Sequence, residues 1–495
     1  GRTADPGGYD RRHNLPELLF DQAAAKGERP FLWAKRSGAR TSWGFAEAAP
    51  RTRARARGLM AHGIGRGDRV MLVAENRPEW LIGDVAIMAA GAISVPAYVT
   101  NTAEDHLHVM ADSGSRAVIV STAALTARVL AAAIRAPALE TVIAIEPLSQ
   151  QQNLGLDIIA WDELIAEGEA ADTGFPALGR GDTACIIYTS GTGGTPKGVM
   201  LSHGAMLCNC KGGYRVLQSL GLDDEVFLSF LPLSHSYEHT AGQFFPMSVG
   251  AQIYYAEGVA ELARNMAEAR PTFMTAVPRL YETMHGRITA ALANQSGLKQ
   301  RLFEWTLALG RRRYETPGSL GLLDRLADQL LDRLVREKVR ARFGGRMKAL
   351  VSGGAPLNYE IGLFFTALGL RLLQGYGLTE SAPVISCNPP EKIKLATVGP
   401  AFPDVEVRLA EDGEILVQGE LVMQGYWNNP TATAEAIRDG WLHTGDIGTI
   451  DNDGYIQITD RKKDLIVNSG GDNVSPARVE GFLTLQPEIA QAMVV

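Results

Sequence analysis

Short apolar runs alternate with longer helical patterns through the first half of the chain. Arg69 to Ala74 (RVMLVA) is a continuous apolar run of strand length. Pro78 to Ala90 follows as a helix with Pro78 in its first turn, and Ala92 to Val95 is the next strand. Ala117 to Val120 and Thr141 to Ile145 are further β-branched runs. Strand–helix–strand alternation of this kind predicts parallel βαβ units and an α/β fold. The segment from Gln295 to Arg346 differs. Leu323, Leu326, Leu330 and Leu334 recur at gaps of three and four, a helical stripe that Phe343-Gly344-Gly345 ends. After about Phe402 the pattern becomes strand-rich, over Val405 to Leu409, Glu414 to Val417 and Tyr455 to Ile458, with hairpin signals at Asp412-Gly413 and Asp453-Gly454. A boundary is expected after Asp460, giving a large domain over 1–460 and the start of another over 461–495.

Composition narrows the classes of function. The chain has 495 residues, 46% hydrophobic and 21% charged, which excludes wholesale disorder. Its 48 Lys and Arg against 55 Asp and Glu leave a net charge of −7, so nucleic acid is not an expected partner. Against that background Gln295 to Lys348 holds 13 basic and 6 acidic residues. Two readings stand: a solvated helix face, or a basic surface that meets anionic lipid or a phosphorylated substrate. The four cysteines form no disulfide framework, and Cys208 and Cys210 lack the second Cys/His pair of a zinc site. A reduced, cytoplasmic protein is expected. The longest apolar stretch, Val85 to Val99, is shorter than a membrane span and is broken by Gly91 and Pro96. No signal peptide or short-period repeat is visible.

Gly is abundant, at 53 residues, and the clearest local signal is glycine-rich: Tyr188 to Gly198, YTSGTGGTPKG, after the strand-like run Ala184 to Ile187. Three hydroxyl residues (Thr189, Ser190, Thr192) interleave with Gly191, Gly193 and Gly194, followed by Thr195. Glycines let backbone N–H groups approach phosphate oxygens, hydroxyls add donors, and Lys197 adds a point charge. Pro196 stiffens the turn. The Walker A pattern is absent, because Gly198 rather than Ser or Thr follows the lysine.

Further motifs follow in order: LPLSH (Leu231 to His235), SGGAP (Ser352 to Pro356), GYGLTE (Gly375 to Glu380), GYW (Gly425 to Trp427), HTGD (His443 to Asp446) and DRKKDLIVNSGGDNVSP (Asp460 to Pro476). ENRPEW (Glu75 to Trp80) precedes them. With this series the chain resembles the adenylate-forming (AMP-binding) superfamily. LPLSHSYEH at 231–239, TAVPRLYE at 275–282 and the long basic helical segment make it most similar to the long-chain fatty-acid–CoA ligases.

The resemblance implies a two-step ligase: a fatty acid is activated with ATP to acyl-AMP and pyrophosphate, then transferred to coenzyme A. It implies a large multi-sheet N-terminal domain with a β-rich end, and a small mobile α/β C-terminal lid of which the chain carries the start. Carried over by position, Thr189 to Lys197 hold the β- and γ-phosphates, and Glu380 with Thr189 binds Mg²⁺. Tyr376 stacks on adenine, Gly353, Gly354 and Ala355 line its pocket, and Gly377 and Thr379 belong to the ATP site. Asp446 accepts the ribose hydroxyls and Arg461 contacts ribose or the α-phosphate. His235 lies near the acid's carboxylate, Lys463 is the lid's pivot, and Gly470 and Gly471 face the thiol in the second step. His239 reads as structural. Phe244, Phe245, Met274 and Val277 are candidates for an apolar acyl tunnel and also for plain core.

The family's further lysine, near its C-terminus, has no counterpart before Val495, and the chain opens on Gly1 rather than Met. The sequence is therefore expected to be part of a longer protein, and as written to bind ATP but adenylate poorly. Competing readings are an acyl- or aryl-AMP ligase that loads a carrier protein, an ADP-forming ATPase or kinase, and a non-catalytic nucleotide-binding relative. The substrate and the basic segment together predict peripheral contact at the inner face of the membrane. Acyl-chain length and oligomeric state are not readable, a homodimer being one option.

Overall fold

Strands buried on both faces read as unbroken apolar runs rather than alternating ones. The computed structural model describes residues 5–36, 38–148, 155–171, 173–189 and 195–462, with 464, 466–467, 473–474, 483 and 493. In it the apolar runs of the first half become parallel neighbours at Ile93–Pro96, Arg69–Val73, Ala117–Val120 and Thr141–Ala144, each within a residue or so of the expected span. Their sheet runs in the order Gly425–Tyr426, Lys197–Ser202, Thr183–Thr189, Ile93–Pro96, Arg69–Val73, Ala117–Val120, Thr141–Ala144, Asp157–Ala160. Met71, Val73, Val95, Val118, Val120 and Ile186 meet in one buried cluster on it. The helix Pro78–Ala89 is buried along its whole length, which is why its sequence is apolar on every side. Its two acids are paired inside: Glu79 with Arg77 and Arg36, and Asp84 with His239.

Two compact units make up the chain. The first comprises Gly1–Thr275, Thr379–Pro383 and Glu420–Thr433. It holds the sheet above and a second set of strands, Phe273–Ala276, Val226–Ser229, Gln252–Tyr255, Pro30–Arg36 and Ala39–Gly44, side by side in that order. The short returning segments are fastened by specific bonds. Arg180 grips Glu420 through two parallel N–H···O bonds of 2.7 Å, and Asn209 donates to the Ser381 carbonyl at 3.1 Å.

The second unit comprises Ala276–Leu378, Val384–Gly419 and Ala434–Val495. Ala349–Ser352 and Leu372–Gly377 run parallel, and Val384–Cys387 returns antiparallel. The expected strand-rich end is present: Glu406–Leu409, Glu414–Gln418, Trp441–Ile450 and Ile456–Arg461 pair successively as antiparallel neighbours. At Asp412-Gly413 the turn is closed by Glu414 N–H donating to Asp412 Oδ1 at 3.1 Å.

After the helix Pro278–Ala293, the basic segment of this unit is helical over Gly297–Glu315 and Leu322–Leu331, with a π turn at Asp332–Arg336 leading into Glu337–Arg342. Arg336 is fully buried and ties these pieces together. It donates to the Ala367 carbonyl (2.7 Å), to the Thr306 carbonyl (3.2 Å) and to Asp328 Oδ1 (2.6 Å). The helix Leu322–Leu331 turns Leu331 inward beside Leu309 and Leu320. The leucine stripe read from the sequence is on its other side, in solvent. The lid expected from Arg461 onward lies almost wholly outside the described residues.

Candidate active site

The hydroxyl- and glycine-rich segment lies in sequence between two paired strands of the first unit. Thr183–Thr189 and Lys197–Ser202 pair antiparallel, with Tyr188 opposite Gly198 and Thr189 opposite Lys197. Thr189 and Lys197 therefore stand on the two strands where the segment begins and ends. Ser190, Gly191, Thr192, Gly193 and Gly194 lie outside the described residues, and Thr195 is exposed. Gly198 has a packing reason of its own: a Cβ there would meet Ile186 Cγ2 at 2.7 Å and Tyr188 Cζ at 3.0 Å.

The strand Gly425–Tyr426 adds to this pair, with Tyr426 opposite Val199. The Tyr426 ring lies against Lys197, whose Nζ is 4.5 Å from the ring centroid. Its hydroxyl donates to Glu380 Oε1 at 2.8 Å. Lys197, Tyr426 and Glu380 thus form one connected group. Burial, reinforced by the Glu380 charge, raises the Tyr426 phenol, so it remains a protonated donor. Glu380 sits in the short helix Thr379–Ser381, where its carbonyl accepts from Met423 N–H at 2.8 Å. Thr379 Oγ1 lies 3.0 Å from Ser236 Oγ, which fastens the residue beside His235 to the GYGLTE segment. His235 Nδ1 accepts from Tyr237 N–H at 3.2 Å, so the proton of the neutral ring belongs on Nε2. Desolvation lowers the His235 pKa although the residue is exposed, which favours the neutral imidazole near pH 7.

Glu238 follows in a π-helical turn, Glu238–Phe244. It is fully buried, and its oxygens accept from Ser229 Oγ and Thr275 Oγ1, each at 2.6 Å. Burial pushes its carboxyl up to about 7, against the opposing pull of hydrogen bonds from Ser229, Thr275 and Gln243. His239 Nε2 lies 2.7 Å from Asp84 Oδ2, both fully buried, and its ring packs edge-on to Trp80 and Phe244. Phe244, Phe245 and Met274 are buried in the core of this unit.

The second unit carries a separate group. Asp446 and Arg461 are cross-strand partners, and Arg461 Nε is 3.6 Å from Asp446 Oδ1. Tyr376, on Leu372–Gly377, donates its hydroxyl to Asp446 Oδ2 at 2.6 Å. Burial and the Asp446 charge hold the Tyr376 phenol well above its ordinary pKa. Gly377 ends that strand. Gly353 N–H donates to the Ala276 carbonyl at 3.1 Å. Gly354 takes a φ of +83°, a conformation that favours glycine, and it and Ala355 are exposed. Val277 is half-buried, its Cγ1 3.6 Å from where a Gly354 Cβ would stand. Lys463, Gly470 and Gly471 lie outside the described residues.

The family described as AMP-binding enzyme matches residues 19–427. The chain belongs to that family. FadD15 of Mycobacterium bovis, named a long-chain-fatty-acid–CoA ligase, is 37% identical over 466 residues, covering 91% of this chain and 74% of that protein. Long chain acyl-CoA synthetase 7, peroxisomal, of Arabidopsis thaliana is 31% identical over 472 residues, 91% of this chain and 66% of that one. Among solved structures, the anthranilate CoA ligase AuaEII in complex with anthranoyl-AMP superposes with a TM-score of 0.77 at 20% identity, over 98% of this chain and 84% of that one, a likeness of fold. ATP-bound MatB from Rhodopseudomonas palustris gives 0.74 at 25% identity, over 97% and 85%.

In this AMP-binding enzyme the donor set fits magnesium. Among the described residues no group of three or more His, Cys, Asp or Glu could hold a metal by itself. Glu380 offers one carboxylate and Thr189 one hydroxyl, which suits an ion that takes its other ligands from substrate phosphates and water. Two residues of the first unit escaped sequence reasoning. Tyr426 stands in the GYW motif, whose order along the chain gave no hint that it pairs beside the loop. Glu238 stands in LPLSHSYEH, where an acid next to a histidine reads as a surface residue until its burial is known.

Proposed function

We propose that this AMP-binding enzyme activates a fatty acid with ATP and passes the acyl group to coenzyme A. The carboxylate oxygen bonds to the α-phosphorus and pyrophosphate leaves; the thiolate sulfur then bonds to the acyl carbon and AMP leaves. The observation that carries the reading is the Lys197–Tyr426–Glu380 group at the strands that flank the glycine-rich segment. The names of the relatives supply the acid and the thiol.

Both steps bring anions together, so positioning and charge neutralisation do most of the catalysis. Lys197, Thr189, Thr195 and the backbone of Ser190 to Gly194 would cradle the β- and γ-phosphates. Glu380 and Thr189 would hold Mg²⁺, which supplies charge neutralisation at those phosphates. Tyr426 keeps the Glu380 carboxylate oriented and lends Lys197 an aromatic face. Gly353, Gly354, Ala355 and Tyr376 would surround the base with Gly377 and Thr379 in the same ATP site, Asp446 would hold the ribose, and Arg461 the ribose or the α-phosphate. His235, neutral with its proton on Nε2, would donate to the acid's carboxylate. The division at residue 460, with Lys463 as pivot and Gly470-Gly471 serving the thiol step in a rotating lid, belongs to the same proposal. So do a cytoplasmic location and peripheral contact with lipid, from which an insoluble acid is delivered.

The test is ATP–pyrophosphate exchange on the full-length protein with Mg²⁺, using fatty acids of several lengths and one aryl acid, before and after adding coenzyme A. Exchange that requires a fatty acid, followed by acyl-CoA formation, is expected. Exchange with no thioester on adding coenzyme A would move the protein to the carrier-loading class, and no exchange with any acid would remove the adenylation reading.

A further inference from the structure

The helix Leu322–Leu331 and the turn that follows it are apolar on two sides, and the fold uses only one. Leu331 is buried against Leu309 and Leu320, with Ala327 and Val335 packed on the same cluster. On the other side Leu322, Leu323, Leu326, Leu330 and Leu334 are 79%, 81%, 63%, 56% and 41% exposed. Spacings of three and four place the last four of these in one stripe. A contiguous exposed stripe of large aliphatic side chains marks an interaction surface rather than ordinary solvent-facing helix.

The charges around the stripe are sorted. The acids of this helix and turn are held in ion pairs: Asp324 with Arg312 (3.0 Å), buried Asp328 with Arg313 (2.8 Å) and Arg336 (2.6 Å), and Asp332 with Arg340 (2.7 Å). Arg325, Arg333, Lys338 and Arg342 are exposed and make no ion pair among the described residues. What faces water is therefore leucine flanked by Arg325, Arg333, Lys338 and Arg342, with Glu337 the exposed acid among them, a local excess of positive charge in a chain whose net charge is −7. That combination is the one by which helices lie in the plane of an anionic lipid surface, apolar side chains among the acyl chains and cations among the headgroups. The preceding helix, Gly297–Glu315, adds Leu298 and Trp305, 70% and 47% exposed and seven residues apart on one face, and tryptophan favours the water–lipid boundary. Among the described residues no helix is long and apolar enough to cross a membrane, so the contact is interfacial. A symmetric dimer through the same stripe would set Arg325 and Arg333 against like charges of the second copy.

We infer that the leucine stripe of 322–334, with Arg325, Arg333 and Lys338 beside it, docks this enzyme onto anionic bilayers with the helix lying in the headgroup plane. It gives the lipid contact proposed above a location, and rests on that reading only for its purpose. The test is flotation of the full-length protein with vesicles of phosphatidylcholine alone and of phosphatidylcholine mixed with phosphatidylglycerol, at low and high salt. The native protein is expected to float with the anionic vesicles at low salt. The triple variant Leu323→Gln, Leu326→Gln, Leu330→Gln and the double variant Arg333→Glu, Lys338→Glu are each expected to lose about tenfold or more of that binding. Their melting temperatures and their pyrophosphate exchange on detergent-dispersed fatty acid should match the native values, because none of these side chains is buried or in the proposed site. Variants that float like the native protein would overturn the inference, as would a native protein that stays off anionic vesicles. So would a dimer in solution that the leucine variant splits without any lipid binding. Vesicle binding in a protein that shows no exchange would leave the docking surface standing and remove the ligase reading instead.

Discussion

At the scale of single residues, Glu238 and Tyr426 carry the consequences that can be measured most directly. Glu238 is fully buried, with Ser229, Thr275 and Gln243 around its carboxyl, and its pKa stands at about 7 instead of 4.5. Between those two values the folded chain keeps a proton that the unfolded chain has lost. Stability from this group is therefore greatest at acid pH and falls as pH rises through the window, by on the order of 3 kcal/mol at most. Glu238→Gln keeps the shape and removes the titration. Urea unfolding at about pH 5 and about pH 8 should show the native protein losing more stability than the variant over this interval, and equal losses would contradict the assignment. Tyr426 donates to the Glu380 carboxylate. Tyr426→Phe keeps the ring under Lys197 and deletes one hydrogen bond to a charged acceptor, a loss of about 1.5–3 kcal/mol. Pyrophosphate exchange should slow by about tenfold to a hundredfold, with the concentration of fatty acid needed for half-maximal rate little changed. A rate within twofold of native would exclude Tyr426 from orienting Glu380. Lys197, Glu380, Asp446 and Arg461 could be nominated in advance because their motifs are local. Tyr426 could not be, because its partner is 46 residues away along the chain.

At the scale of elements, close backbone approaches and one buried arginine hold neighbouring helices in place. The helices Phe45–Ala61 and Glu163–Ala170 cross so closely that a Cβ on Gly168 would collide with the Ala54 carbonyl, while one on Gly58 would collide with the Leu164 carbonyl. Gly168→Ala has no flexible neighbour to displace and should cost about 1–3 kcal/mol, read as a lowered melting temperature. Arg336 bonds to three separate elements from a fully buried position. Arg336→Met leaves the Asp328 carboxylate short of its closest partner and should cost about 3–5 kcal/mol. Limited proteolysis should then cut first within 297–342, and an unchanged cleavage pattern would mean the segment does not depend on this anchor. The parallel strands and the helix Pro78–Ala89 were readable because burial on all sides leaves a mostly apolar run, its few charged residues paired. The leucine stripe was readable as helix, but periodicity alone does not say which of two apolar faces meets the core.

At the scale of the whole molecule, the residues proposed above to bind ATP are Thr189, Lys197 and Glu380 in the first unit and Tyr376, Asp446 and Arg461 in the second. If both groups serve the same ATP, each should contribute to its binding independently. Saturating Mg²⁺ and ATP should raise the melting temperature by a few degrees, since ligand at a hundred times its dissociation constant adds about 2.7 kcal/mol. Lys197→Met and Asp446→Asn should each shrink that rise, and chelating the metal should shrink it in the native protein. A full rise in either variant would take that residue out of the nucleotide site.

The sequence by itself determined the alternating α/β architecture, the strand-rich end, the order of the motifs and through them the family. These depend on neighbours in the chain, on periodicity and on residue types at fixed short spacings. Only the tertiary structure decided that Tyr426 lies beside Lys197, that Glu238 is sealed from water, that the acids of 324–332 are held in ion pairs and that five leucines are left in solvent. Each of those depends on which distant segment covers a side chain. Burial is what converts an ordinary glutamate into a neutral-range acid, and the lack of it is what turns a leucine stripe from core into surface.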